Sequence, residues 1–318
     1  MRLKKIIKTD SYFCSLILVG LLGCAGEISK KTEIDQWETQ AAQVEIIRDD
    51  FGVPHIYGKT DADAVFGLLY AQCEDDFHRV ERNYIWAIGR LAEVIGEEAL
   101  YSDLRAHLFM TQNEAIDAYE ASPKWLQDLC DAFAAGINYY LYTHPEVKPE
   151  LLNHFEPWMP FYFSEGSIGG DIERVPIPQI KDFYEGVQPL SLITNDLPEL
   201  TQEYLTEPQG SNGIAIGRKL TTSGNTLLLI NPHTSFFFRG EVHVVSEEGL
   251  NAYGAVTWGQ FFVYQGFNEK VGWMHTSTYT DVIDEFVEEV HEKEGGYYYK
   301  YGEELRPISS YEVKLKYK

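Results

Sequence analysis

Apolar residues recur at helical spacing through the first half of the chain. After Thr60 and Asp61, either of which can cap a helix, Ala64, Leu68, Leu69 and Cys73 fall on one face, continued by Val80, Tyr84, Ile85 and Ile88. A second helical pattern runs from about Pro123 to Tyr142, with Leu126, Leu129, Phe133 and Ile137 on its apolar side. Ahead of both, Val44 to Asp49 partly alternates and Gly52-Val53-Pro54 leads into His55-Ile56-Tyr57, which predicts two short strands joined by a turn. Residues 189–209 hold no period and read as a linker. Beyond it, Gly213–Ile216, Thr226–Ile230, Glu241–Val245, Ala252–Thr257, Val271–Met274, Phe286–Val290, Tyr297–Tyr301 and Tyr311–Tyr317 predict strands separated by Gly- and Asn-rich turns. Helices first and strands afterwards predict an α+β arrangement and not alternating βαβ units.

The first residues lie outside this scheme. Basic Arg2 to Lys8 precede an apolar run, Tyr12 to Leu22, that is shorter than the ~20 residues of a spanning helix, so residues 1–23 read as a signal segment. The run ends in Leu21-Leu22-Gly23-Cys24, which resembles a bacterial lipobox. Cys24 would then carry lipid, residues 24–43 would be a tether, and the protein would sit in the bacterial cell envelope, in the periplasm or on the outer membrane. An ordinary signal peptide with an incidental Cys is the other reading. The formal charge of −23 makes nucleic acid an improbable partner. Cys73 and Cys130 could pair in an oxidising compartment or remain buried thiols. No H-E-x-x-H or C-x-x-C motif occurs, so zinc is not supported.

Candidate chemistry lies where the linker meets the β-rich half, at Gln209-Gly210-Ser211-Asn212. A serine hydroxyl is a weak nucleophile without an adjacent base. Cleavage before Ser211 would create that base, because a new α-amino group has a reference pKa of about 7.7–8.0. Gly210 permits the tight turn that self-cleavage needs. By itself Gly-Ser-Asn is a common turn.

Read with their flanks, these residues become specific. Ser211-Asn212, the strand after them, the turn Thr222-Ser223-Gly224-Asn225, the strand Leu227–Ile230 and Asn231-Pro232-His233 resemble the penicillin acylase family of N-terminal nucleophile hydrolases, nearest its aculeacin and acyl-homoserine-lactone acylase branch. Asp49 to Ile56, Ala71 to Asp76, Gly89 to Glu93 and Gly266 to Trp273 resemble further family segments. The resemblance implies a four-layer αββα sandwich with a mainly helical α-subunit part at 44–188, a spacer at 189–210 and the start of a β-subunit at 211–318. It further implies an α/β heterodimer cut from one precursor and a small-molecule N-acyl amide as substrate, with no cofactor for catalysis.

Carried over residue by residue, Ser211 is the nucleophile and its own amine the base, His233 orients that amine, and the backbone N–H of Ser277 is an oxyanion donor. Asp281 and Asp284, with Glu173 as a further ligand, align with carboxylates that hold a structural calcium ion, although Asp pairs in turns are commonly just solvated. Thr234 and Gln265 fall in the substrate-pocket segments. Family members continue for several hundred residues past the position of Lys318, so the sandwich is expected to be incomplete here, without the later Asn of the oxyanion hole. A noncatalytic surface lipoprotein that keeps the fold to bind ligands or partners is therefore the alternative function.

Overall fold

A computed structural model describes residues 32–162, 175–185, 211–233, 239–276 and 286–318. Residues 32–41, assigned to the tether from composition, form helix α1, and its Trp37 and Ala41 pack against the core. The folded body thus reaches back to about residue 32. Strands β1 (Val44–Arg48) and β2 (Pro54–Gly58) pair antiparallel, as their alternation predicts. The turn between them is held by Asp49, whose Oδ1 accepts the backbone N–H groups of Phe51 and Val53.

Helix α2 (Asp61–Ala87) opens on a reciprocal cap: Thr60 accepts from the Asp63 N–H and the Asp63 carboxylate accepts from the Thr60 N–H. It kinks at Asp76, which has non-helical dihedrals, and the same carboxylate accepts from the backbone and Nε of Arg79 to restart the helix. Short helices α3 (Ala92–Ile95), α4 (Leu100–Phe109) and α5 (Gln112–Glu120) follow, the last capped by Thr111. Helix α6 (Lys124–Thr143) starts after Pro123 and lies along α2, with Tyr84 and Phe133 ring to ring at 5.1 Å. Helix α7 (Ile177–Glu185) packs on α4.

Strands β3 (Ser211–Ile216) and β4 (Leu227–Pro232) form a two-stranded antiparallel ribbon. Strands β5 (Arg239–Ser246), β6 (Asn251–Thr257), β7 (Gln265–Phe267) and β8 (Gly272–Trp273) join β1 and β2 in one sheet of order β1-β2-β5-β6-β7-β8. The β2–β5 pair is parallel and every other pair antiparallel. One sheet therefore draws strands from both sides of the 189–210 segment. Alternation sends Ile56, Val242, Val244, Ala252 and Val256 into the core, where α2 covers the sheet. The architecture is α+β, as the sequence predicts.

The C-terminal region departs from the expectation in two places. Strands β9 (Val290–Lys293), β10 (Gly296–Tyr301) and β11 (Glu304–Pro307) make a separate meander, so of Phe286–Val290 only Val290 is in a strand, while Phe286 and Val287 stand exposed. Tyr311–Tyr317 alternates but pairs with no strand among the described residues. Its segment is held from the helical side instead, by Tyr311 Oη donating to the His107 carbonyl and the Lys318 N–H donating to the Ala92 carbonyl.

Candidate active site

Ser211 is the first residue of β3 and sits opposite Pro232 at the end of β4, so His233 emerges beside it. Asn212 bridges the two, its Nδ2 lying 3.0 Å from His233 Nε2. From a third segment, Thr276 Oγ1 donates to the Ser211 carbonyl at 2.8 Å. The nucleophile expected from the sequence is thus gripped by β4 and by the stretch after β8.

Two glycines let the ribbon come this close. A Cβ at Gly213 would stand 2.0 Å from Met274 Sδ, and one at Gly272 would stand 2.2 Å from a Leu228 methyl. A side chain at either position would force the Met274 or Leu228 side chain to move aside. That segment is itself tied down: Trp273 Nε1 donates to the Val263 carbonyl and Gln265 Nε2 to the His275 carbonyl.

The loop that carries Val263 is fixed in turn by α2. Gln72 Nε2 donates to the Gln260 carbonyl and its Oε1 accepts the Gly259 N–H, both at 2.8 Å. Asn83 Nδ2 donates to the Trp258 carbonyl and Tyr84 Oη to the Gly259 carbonyl. Replacing Gln72 by Leu leaves a buried N–H and a buried carbonyl without partners. A loss of about 1–3 kcal/mol is expected, read as a lower urea midpoint at unchanged slope; an unaltered midpoint would show that the turn holds without this contact.

Of the other residues singled out in the sequence, Cys24, Glu173, Gly210, Thr234, Ser277, Asp281 and Asp284 lie outside the described residues. Gln265 is 3% exposed, and its Oε1 has no hydrogen-bond partner among the described residues. Cys73 and Cys130 are free and buried; burial pushes the Cys73 thiol well up and the Cys130 thiol to about 12, which rules out a thiolate nucleophile at neutral pH. Among the described residues no group of three or more His, Cys, Asp and Glu side chains could hold a metal ion. His55 and His243, without a pattern in the sequence, meet across β2 and β5 with their Nδ1 atoms 2.9 Å apart, and His243 Nε2 lies 2.9 Å from Asn251 Oδ1. They sit on the sheet face opposite the helices.

Comparison with known proteins decides the family, because the penicillin amidase family model matches residues 43–318. The chain belongs to the penicillin amidase family. It is 25% identical to the acyl-homoserine lactone acylase PvdQ of Pseudomonas syringae pv. syringae over 83% of this chain and 37% of that protein. It is 24% identical to the acyl-homoserine lactone acylase QuiP of Pseudomonas fluorescens over 85% of this chain and 38% of that protein. The penicillin acylase 2 proenzyme of Pseudomonas sp. strain SE83 is also 24% identical, over 85% of this chain and 40% of its own length. The chain spans less than half the length of these relatives. Thr276 went unrecognised in the sequence; the only signal for it was its place beside Ser277, which the family resemblance led one to expect as an oxyanion donor.

Proposed function

We propose that the protein is a self-processing N-acyl amide hydrolase in which Ser211, once cleaved to become an N-terminus, is both nucleophile and base. The observation that carries this reading is the convergence of the Thr276 hydroxyl on the Ser211 carbonyl and of His233 on the neighbouring Asn212 side chain. In the precursor, Ser211 Oγ attacks the Gly210 carbonyl and the Gly210–Ser211 C–N bond breaks, which frees the α-amine and leaves an ester on Oγ; water then hydrolyses that ester to the Gly210 carboxylate and the free Ser211 hydroxyl. In the mature form that amine accepts the Oγ proton as Oγ adds to the substrate amide carbon, and passes it to the departing amine. Water then cleaves the acyl-enzyme to the carboxylic acid. The backbone N–H of Ser277 stabilises the oxyanion in each addition.

The relatives' names favour a fatty-acyl amide such as an acyl-homoserine lactone as substrate, with Thr234 and Gln265 beside the acyl group. Asp281, Asp284 and Glu173 are hard oxygen donors suited to calcium, which would brace the loop and take no part in the chemistry. Cys24 would tether the protein to the envelope by lipid. The shared sheet supports an α/β heterodimer, since β2–β5 pairing and the Gln72, Asn83 and Tyr84 contacts would hold the two pieces together after the cut.

N-terminal and intact-mass analysis of the expressed chain beside Ser211→Ala tests the reading. A new chain beginning at Ser211, absent from the variant, is expected. A folded wild-type chain that stays uncut overturns it.

A further inference from the structure

We propose that Thr276 is a positioning residue for Ser211: its hydroxyl clamps the Ser211 carbonyl and so sets the direction from which Oγ reaches the carbonyl it attacks. The inference rests on the N-terminal nucleophile reading and adds a residue to it. In a residue that is at once nucleophile and base, Oγ and the amine are joined through one Cα. The only freedoms are χ1 and the rotations about the Cα, so fixing the carbonyl removes one of them. A nucleophile held near its attack geometry gains rate from the reduced search alone.

Three features suit Thr276 to this task. Its Oγ1 lies 2.8 Å from the Ser211 carbonyl, an ordinary hydrogen-bond length at an exposed position. Its β-branched side chain restricts χ1, so the hydroxyl is held in direction at small entropic cost. The backbone just before it cannot drift, because Gln265 Nε2 holds the His275 carbonyl and Trp273 Nε1 holds the Val263 carbonyl. Gln265, nearly fully buried, thereby acts through His275 on the same clamp.

The test compares Thr276→Val, which keeps the shape and removes the hydroxyl, with Thr276→Ser, which keeps the hydroxyl. Two quantities are measured on the full chain: the rate at which the Ser211 N-terminus appears, by intact mass, and hydrogen exchange of the peptide covering residues 211–216. Thr276→Val is expected to slow processing about 10-fold and to speed exchange of the Asn212 and Gly213 amides by a similar factor, the scale of one net hydrogen bond. Thr276→Ser should stay within about 3-fold of wild type in both. Equal processing and equal exchange in the valine variant overturn the clamp. If wild type is not cut, the enzymatic reading fails by itself and exchange alone judges the clamp: faster exchange in the valine variant, with the serine variant unchanged, upholds it, and unchanged exchange overturns it.

Discussion

Glu81→Ala is expected to lower folding stability by about 3–5 kcal/mol, the scale of three backbone donors losing their acceptor at once. Glu81 lies in α2 and is 0% exposed. Its Oε1 accepts the backbone N–H groups of Leu151 and Leu152 at 2.7 and 2.8 Å, and its Oε2 accepts that of Glu150 at 2.9 Å. One carboxylate thus satisfies three donors in the loop after α6, and so brings Leu152 and Phe155 into the core. Alanine leaves those donors facing a cavity, each unsatisfied group costing about 1–3 kcal/mol less whatever water recovers. Glu81→Gln keeps an acceptor oxygen but turns an NH₂ toward an N–H, so an intermediate loss is expected. Urea unfolding at constant slope measures both; a Glu81→Ala loss under about 1 kcal/mol would mean that the loop finds other partners. Asn83 and Tyr84, which hold the Trp258–Gly259 turn, follow Glu81 on the same helix, so the variant should also loosen the loop behind the site.

What the sequence reveals, and what it hides, follows from how local each interaction is. Helix α2 is legible because its apolar period and its Thr60–Asp63 cap lie within a few residues of one another. Strands β5 and β6 are legible for the same reason: alternation reports which face is buried. Alternation does not report the partner. The parallel β2–β5 pair joins His55 to His243, 188 residues apart, and nothing in either strand names the other. Tyr311–Tyr317 shows the converse, a strand-like pattern that lies against the helical part and, among the described residues, pairs with no strand. Strand β7 is too short for a period to register, and β11, Glu304 to Pro307, is too polar.

At the site the same division holds. Ser211 and His233 could be named as candidates because a family pattern fixes the spacing between them, and the fold sets them side by side. Thr276 binds a backbone carbonyl, and a carbonyl has no residue identity for a pattern to record. Gln72 shows this most plainly. In the sequence it is one polar residue in an acid-rich stretch; in the fold both ends of its amide are used by the turn at Gly259 and Gln260. Such residues convert helix packing into placement of the site, and they are read only once the turn they hold is in view.

Stability is expected to fall between about pH 4 and pH 6 through Asp103, and Asp103→Asn should remove that slope. The side chain is 1% exposed, and burial pushes its pKa up to about 6. Its two oxygens accept the backbone N–H groups of Leu91 and Ala92, both at 2.8 Å, which lower the pKa but do not offset the burial. An unfolded aspartate titrates near 3.9. Between these values the native state binds more protons than the unfolded state, so stability decreases as pH rises; below about pH 4 both forms are protonated and the contribution vanishes. Above pH 6 the full penalty is about 3 kcal/mol, from roughly 2 units at 1.36 kcal/mol each. The difference between the wild-type and Asp103→Asn stability curves isolates this group together with its coupling to Glu93 and Arg90, since carboxylates remote from it titrate alike in both. Asparagine loses one of the two backbone hydrogen bonds, so the variant should be the less stable protein at pH 4 and should gain on wild type as pH rises to 6. A difference curve that is flat from pH 4 to 6 would show that the two backbone donors outweigh burial and keep Asp103 ionised throughout. The residues it holds, Leu91 and Ala92, open α3, and the Lys318 N–H is bonded to the Ala92 carbonyl. Weakening this carboxylate should therefore release the start of α3 and the end of the chain together.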